Sequence, residues 1–498
     1  MPETDARSSP SQGRMPAPRI VARAEMWLFS ALVLLVAAAP LPLGSNRPLS
    51  SGVVAFVAGV LLLSWVAITT FRGSLHTDRD LTRQLKWPIG LFLIVIVWIV
   101  IQWAPLGFSG HPLWQTAADA LGEDLPARIT LNPEASLAAL SNLLCYGAVF
   151  WISLQLAVDP ARARLARYAA IAIGGAYCLY GLVGFFIDGA WISTYFLTRR
   201  ADSLTSTFVN RNSFATFAGL ALLCSASVFL DRVQHIFTIS RPFGQKIVLV
   251  IEMVTLHARW VSAAFVTASL ALFLTTSRGG IAASLVALAA LAFLQTRSAA
   301  KRGAAYRYIP LLILLPVGIA LVLGGGNFLE RVDRQGLSIE NNLRSSIFVT
   351  TIEAIKTAPL VGTGYGTYSD AIEAYRGGDP DIFTLWQKAH NTYLENALEL
   401  GLPGAAALTL SVLGLALICF GGVQRRRRSR AYPALGVAAT ILVGVHALVD
   451  FSLQIPAVAI FYAFIMGVAV AQSVRGRPEN DGAAYTSRPT RKKSTGPE

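Results

Sequence analysis

Apolar residues along this chain gather into long runs separated by short polar connections. Several runs reach about 18 residues or more, enough for a helix to cross the ~30 Å hydrocarbon layer of a bilayer. The pattern predicts spans at 26–43, 53–71, 88–106, 137–158, 168–187, 214–230, 260–276, 281–294, 309–324, 402–422, 434–450 and 456–472. The expected fold is therefore an all-α polytopic integral membrane protein with about twelve transmembrane helices. Residues 1–23, rich in Ser, Pro, Arg and Ala, read as a disordered cytoplasmic tail, and 476–498 as a second, basic one. The first run starts too late, and lacks a small-residue cleavage site, for a cleavable signal peptide. Between the tails, 24–200 reads as N-terminal membrane helices and 201–475 as the region that carries the polar motifs, including a long loop at 325–400.

Composition supports the pattern. Of 498 residues, 54% are hydrophobic and only 14% charged, and mean hydropathy is +0.53. Soluble domains carry nearer a quarter charged residues. The net charge of +14 would suggest nucleic acid in a soluble protein. Here the excess Lys and Arg lie in short connections, so the charge reports topology and no nucleic-acid partner is expected. The four cysteines, Cys145, Cys178, Cys224 and Cys419, fall inside apolar runs and read as small packing residues.

Alternate connections hold the cations: Arg72 to Lys86, Arg162 to Arg167, Arg232 to Lys246, Arg297 to Arg307, and Arg425 to Arg430. The positive-inside rule puts these connections and both termini in the cytoplasm, as an even number of spans requires. The stretch 246–259 is either an interfacial helix or part of a span. The 325–400 loop then faces outward, and a loop that long is more often functional than a connector. Within it Leu343, Ile347, Thr351, Ile352 and Ile355 suggest one face of a helix, ended by Pro359 and followed by a flexible turn at Gly362-Thr363-Gly364-Tyr365-Gly366.

Four polar clusters fall on the outer face in a topology deduced from other residues. They are Asn210-Arg211-Asn212, the tight junction Thr275 to Gly280, Arg344, and His390-Asn391. Arg278 sits where the positive-inside rule disfavours a cation, so it suits an anion better than a topology signal. Gly279 and Gly280 allow close backbone approach, and the helix that follows offers free N–H groups for a phosphate. His390 has the natural side chain for a general base near neutral pH. Gly401-x-x-Gly404 also suits helix packing. His446 and Asp450, four residues apart on one helix face, either support the site or pair with each other. The Gly-x-Gly-x-Gly turn lacks the preceding strand of a nucleotide loop, and Asp379-Pro380-Asp381 reads as an acidic turn rather than a metal site.

At these residues the chain resembles the O-antigen ligase and O-antigen polymerase superfamily of bacterial membrane glycosyltransferases. The ligases carry His, then Asn, Ser or Gln, then nine residues, then Gly-x-x-Gly, which His390, Asn391, Gly401 and Gly404 match. The Ser277-Arg278-Gly279-Gly280 junction and Arg344 before its helix are also similar to family elements. The resemblance covers about 210–404 well, with 446–450 also familiar, and the first five spans carry little that is diagnostic.

The resemblance implies a GT-C-type fold with a large periplasmic loop, in the bacterial inner membrane, and a metal-independent, inverting transfer without a cofactor. The implied partners are a glycan donor on undecaprenyl diphosphate, a lipid A-core or other glycan acceptor, and membrane lipids. Arg278 and Arg344 correspond to phosphate-contacting arginines, although Arg331 and Arg334 share the loop with Arg344. His390 would take the acceptor proton, Asn391 would orient its ring, and Gly401 and Gly404 would let the helix pack close. Asn210, Arg211 and Asn212 read as sugar or phosphate contacts. A polymerase and a protein O-oligosaccharyltransferase share this donor chemistry. A flippase, the rival from another class, should carry polar groups through the midplane rather than at one face.

Overall fold

The computed structural model describes residues 19–41, 43–71, 79–106, 110–186, 203–296, 337–375, 387–426 and 430–474. Among these the chain is all helical, without a β-strand. The helices are α1 (Arg19–Ala38), α2 (Pro48–Phe71), α3 (Arg79–Trp103), α4 (Pro112–Leu121) and α5 (Pro133–Leu156). There follow α6 (Pro160–Phe186), α7 (Arg211–Thr238), α8 (Phe243–Glu252), α9 (Arg259–Leu274) and α10 (Arg278–Thr296). The last are α11 (Leu337–Thr357), α12 (Tyr368–Glu373), α13 (Thr392–Arg425), α14 (Ala431–His446) and α15 (Pro456–Val474).

Nine of the described helices are long and apolar enough to cross a membrane. A tenth span arises if the stretch 243–256, bent by 81° from α9, is joined to it. The shorter apolar α14 covers another expected span. Eleven of the twelve runs read from the sequence thus coincide with helix, and the run at 309–324 lies outside the described residues. The protein is a polytopic helical membrane protein.

Nearly every residue of α15 and of the 213–230 stretch of α7 is buried, whereas α2 and α3 leave Phe56, Leu63, Leu93 and Ile94 exposed. The first pair is therefore the centre of the bundle and the second pair faces lipid. Small residues allow the central contacts: a Cβ on Gly467 of α15 would come within 2.5 Å of the Phe150 carbonyl on α5. All four cysteines are buried and free, as their positions suggest.

The feature that positions the site is a break in α13. At Gly401 the backbone takes φ 73°, ψ 164°, a region open in practice only to glycine. The break removes helical partners from the preceding carbonyls at the edge of the membrane, where each unsatisfied group costs several kcal/mol. Other elements supply the donors. Thr363 N–H donates to the Leu398 carbonyl (2.9 Å) and Gly364 N–H to that of Glu399 (3.0 Å). From α3, Trp98 Nε1 donates to the Leu400 carbonyl (2.9 Å). Gln102 Nε2 reaches both Glu399 (2.8 Å) and Val361 (2.7 Å) carbonyls. Leu402 N–H in turn donates to the Pro359 carbonyl (2.8 Å).

Two expectations are corrected here. Gly401 is not a packing glycine inside a continuous helix; only Gly404 acts that way, close beside Trp98. The Gly362–Gly366 turn is not a loose one. All three of its glycines have positive φ, and it is the strap that closes the break. The α11 face is also narrower than the pattern suggests. Ile347, Thr351, Ala354 and Ile355 are buried, Ile352 is exposed, and Leu343 lies outside the residues whose side chains are described.

Gly401→Ala should therefore destabilise the protein by at least about 1–3 kcal/mol through backbone strain. A Cβ there would also sit 2.3 Å from the Leu360 carbonyl oxygen. Thermal unfolding in detergent checks this: a clear loss of Tm is expected for Gly401→Ala, and an unchanged Tm would contradict the strained break.

Candidate active site

Three helices that start at the same end of the bundle as the α13 break are capped by asparagine, for the reason that this side chain accepts from free N–H groups. Asn132 caps α5 through the Ala135 N–H (3.0 Å), and Asn210 caps α7 through the Asn212 N–H (2.7 Å). Asn391 caps α13 through the N–H groups of Tyr393 (3.0 Å) and Leu394 (3.1 Å). The carboxamide oxygens of Asn210 and Asn391 are thus engaged by their own helices. Through this cap Asn391 also fixes the backbone beside His390.

The segment that ends α14 ties this face together. His446 Nδ1 lies 2.6 Å from Thr216 Oγ1 on α7, and a Cβ on Gly279 of α10 would sit 2.8 Å from Val449 Cγ2 and 3.2 Å from the same imidazole. Gly279 is therefore small because Val449 and His446 occupy the space beside it, and Gly280 because Ala215 of α7 would lie 2.6 Å from a Cβ there. One turn on, the Ala447 carbonyl accepts from Thr392 N–H and the Asp450 carbonyl from Thr392 Oγ1, both at 2.9 Å.

Asp450 is fully buried. Its Oδ1 accepts from Asn212 Nδ2 (3.1 Å), and its Oδ2 from Ser452 Oγ. The same Oδ1 faces His390 Nδ1 at 4.0 Å. Of the two readings open for His446 and Asp450, support of the site is the one their partners favour. Asn212, expected on substrate, is instead bonded to this carboxylate.

His390 itself has φ 51°, an uncommon conformation for a residue other than glycine. Its ring meets Phe451 edge-on at 5.0 Å, and its side chain is 19% exposed, enough for a small group to reach it. A carboxylate that faces Nδ1 favours a proton on that nitrogen, which leaves Nε2 as the basic atom. At 4.0 Å the two groups are too far apart for a direct hydrogen bond.

The cations lie on the adjoining helix starts. Arg211, half-buried at the head of α7, donates from Nη1 to Thr276 Oγ1 (3.3 Å). At the next residue, Ser277 Oγ accepts from Gly280 N–H (3.3 Å), and Arg278 opens α10 as an exposed residue. Arg344 is in α11, but its side chain is outside the described residues, as are Arg331, Arg334, Asp379 and Asp381. Among the described residues no group of three or more His, Cys, Asp or Glu side chains is arranged to hold a metal.

Several residues of this region carry no signal that sequence reasoning used. Trp98 and Gln102 belong to the spans that carry little that is diagnostic. Glu395 and Glu399, both buried, follow His390 in the chain, and Lys388 precedes it. Two carboxylates one turn apart at a membrane edge need a cation, and that question would have exposed the set.

The bundle thus places an imidazole near a buried carboxylate, with arginines at helix starts nearby. Residues 263–409 match the family model described as O-Antigen ligase, so the chain carries a domain of the O-antigen ligase superfamily. No curated protein matches the chain. The matched stretch runs from α9 into α13 and includes Arg278, Arg344, His390, Gly401 and Gly404. Asp450, Asn212, Trp98 and Gln102 lie outside it. The match supports a glycosyltransferase-type enzyme of the ligase and polymerase kind.

Asp450→Asn separates the charge of this carboxylate from its packing. The amide still accepts from Asn212 and meets the Ser452 hydroxyl, so Tm should stay near wild type. Glycan transfer should fall by about tenfold or more if an oriented imidazole is the base. Parallel melting and gel assays of surface polysaccharide check both halves.

Proposed function

We propose that the protein transfers a glycan from undecaprenyl diphosphate to an acceptor hydroxyl at the periplasmic face of the inner membrane, most simply as an O-antigen ligase with lipid A-core as acceptor. The observation that carries this reading is His390, held in a left-handed conformation beside buried Asp450 on the same face as Arg211 and Arg278. The matched ligase domain supports it, as do the basic connections at the other ends of the spans.

The chemistry follows from these groups. The acceptor oxygen attacks the anomeric carbon while its proton passes to His390 Nε2. The bond between that carbon and the diphosphate oxygen breaks, with inversion, and the lipid diphosphate leaves with the electron pair. Exposed Arg278, with Arg344 from the loop, neutralises the charge that develops on the leaving group, so the chain's own cations suffice. Asp450 stabilises the imidazolium during the step. Asn212 and Ser452 keep Asp450 in place.

In a strain that lacks the gene, His390→Ala should reduce transfer by about 10²–10⁴-fold at normal expression, and Arg278→Ala should also impair it. Near-wild-type transfer by His390→Ala would remove the general base. EDTA should leave activity unchanged, and strong sensitivity would point to Asp379 and Asp381. A lipopolysaccharide gel of the deletion strain separates the acceptors. Loss of every capped form indicates a ligase, one-repeat caps without a ladder indicate a polymerase, and normal surface polysaccharide contradicts both.

A further inference from the structure

We infer that Glu395, clamped to Lys388 and to the backbone of Ala389, is the positioning residue that sets His390 against Asp450. The inference rests on the catalytic reading of His390 but concerns a residue with no place in the chemical step. Glu395 is fully buried one turn into α13, and each of its oxygens has its own partner. Oε1 accepts from Lys388 Nζ and Oε2 from Ala389 N–H, both at 3.0 Å. Its carboxylate therefore grips the two residues that enter His390.

The other side of His390 is gripped as well. Asn391 caps α13, and Thr392 is bonded twice to the end of α14. A strained φ at one residue persists only where the surroundings hold the chain on both sides of it. Without the Glu395 clamp the entering side would depend on Ala389, whose methyl is buried in an apolar cluster with Ile355, Tyr368 and Leu398. Methyl packing resists displacement but does not fix a rotation about the chain, whereas a hydrogen bond to the N–H group does.

The clamp also explains two charges at the membrane edge. Burial lowers the Lys388 pKa, but Glu395 and Glu399 outweigh that effect and hold it above the usual lysine value. Its ammonium is charged at neutral pH and anchors Glu395. Glu399 is engaged elsewhere, by the Tyr368 N–H at 2.9 Å. With both oxygens occupied and almost no exposure, Glu395 is placed to hold the loop rather than to exchange a proton with substrate.

The test reads the imidazole itself. The full chain in detergent is treated with diethyl pyrocarbonate, and modification of each histidine is followed by peptide mass spectrometry. In Glu395→Gln the amide nitrogen opposes the Lys388 ammonium and the clamp opens. His390 should then react about tenfold faster than in wild type, as loss of one charge-assisted hydrogen bond predicts, while buried His446 keeps its rate. In the double variant Lys388→Met/Glu395→Gln the opposing charge is gone and the amide oxygen can again accept from Ala389 N–H. The His390 rate, and transfer in cells, should return toward the wild-type level.

An unchanged His390 rate in Glu395→Gln would overturn the inference, as would an equal rise at His446, which marks general loosening. A double variant as reactive as Glu395→Gln would also overturn it, because the Ala389 bond would then not be the clamp. If reactivity changes as expected but His390→Ala still transfers glycan, the positioning role stands and the catalytic reading fails.

Discussion

A helix that stops inside or at the edge of a membrane leaves carbonyl groups that water does not solvate, and the structure around α13 is arranged by that constraint. The break at Gly401 frees three consecutive carbonyls, of Leu398, Glu399 and Leu400. Thr363, Gly364, Gln102 and Trp98 satisfy them. The donors come from the long loop and from α3, elements far apart in the chain. Because they converge on the break, the loop is docked to the bundle beside the first turns of α13, which His390 precedes. Leu131 N–H adds the α4–α5 connection by donating to the Thr363 carbonyl at 3.0 Å.

The second convergence is at the end of α14. Its carbonyls hold Thr392, its Val449 and His446 fill the space beside Gly279, and Asp450 joins Asn212 and Ser452 and faces His390. One short segment thus brings the starts of α7, α10 and α13 together. The arginine-bearing junction and the imidazole belong to different helices, and neither approaches the other by sequence. They come together at one end of the bundle because both lean on the same five residues. The hydrogen bonds among Thr216, His446, Asn212, Asp450, Ser452 and Thr392 hold this geometry, since buried polar groups left unsatisfied would be costly.

Residue roles at the site divide along these lines. The asparagines that look like substrate ligands in a polar cluster are mostly occupied: Asn210 and Asn391 cap helices, and Asn212 holds a carboxylate. Capping is what asparagine does well at a helix start, and a membrane helix that begins at an interface needs it. The arginines differ. Arg278 is exposed at the first turn of α10, where the helix dipole adds to its charge and favours an anion.

Much of the architecture was legible in the chain itself. Run length and apolarity located eleven of the spans among the described helices, since crossing a bilayer demands a local property that the residues of one helix supply alone. The family was legible in the spacing from His390 to Gly404 and in the Ser-Arg-Gly-Gly junction, because these are contiguous motifs, and the matched domain bears this out. What Gly401 does, which of the asparagines are occupied, and the partnership of Asp450 with His390 were not legible. Each depends on a group from another helix: the Leu360 carbonyl at Gly401, Asp450 at Asn212, the end of α14 at Thr392. Hydrophobic periodicity says that a helix lies in the membrane and says nothing about which helix stands next to it. Only the tertiary structure decides that, through the matching of small residues, caps and unsatisfied carbonyls across contacts that span hundreds of positions.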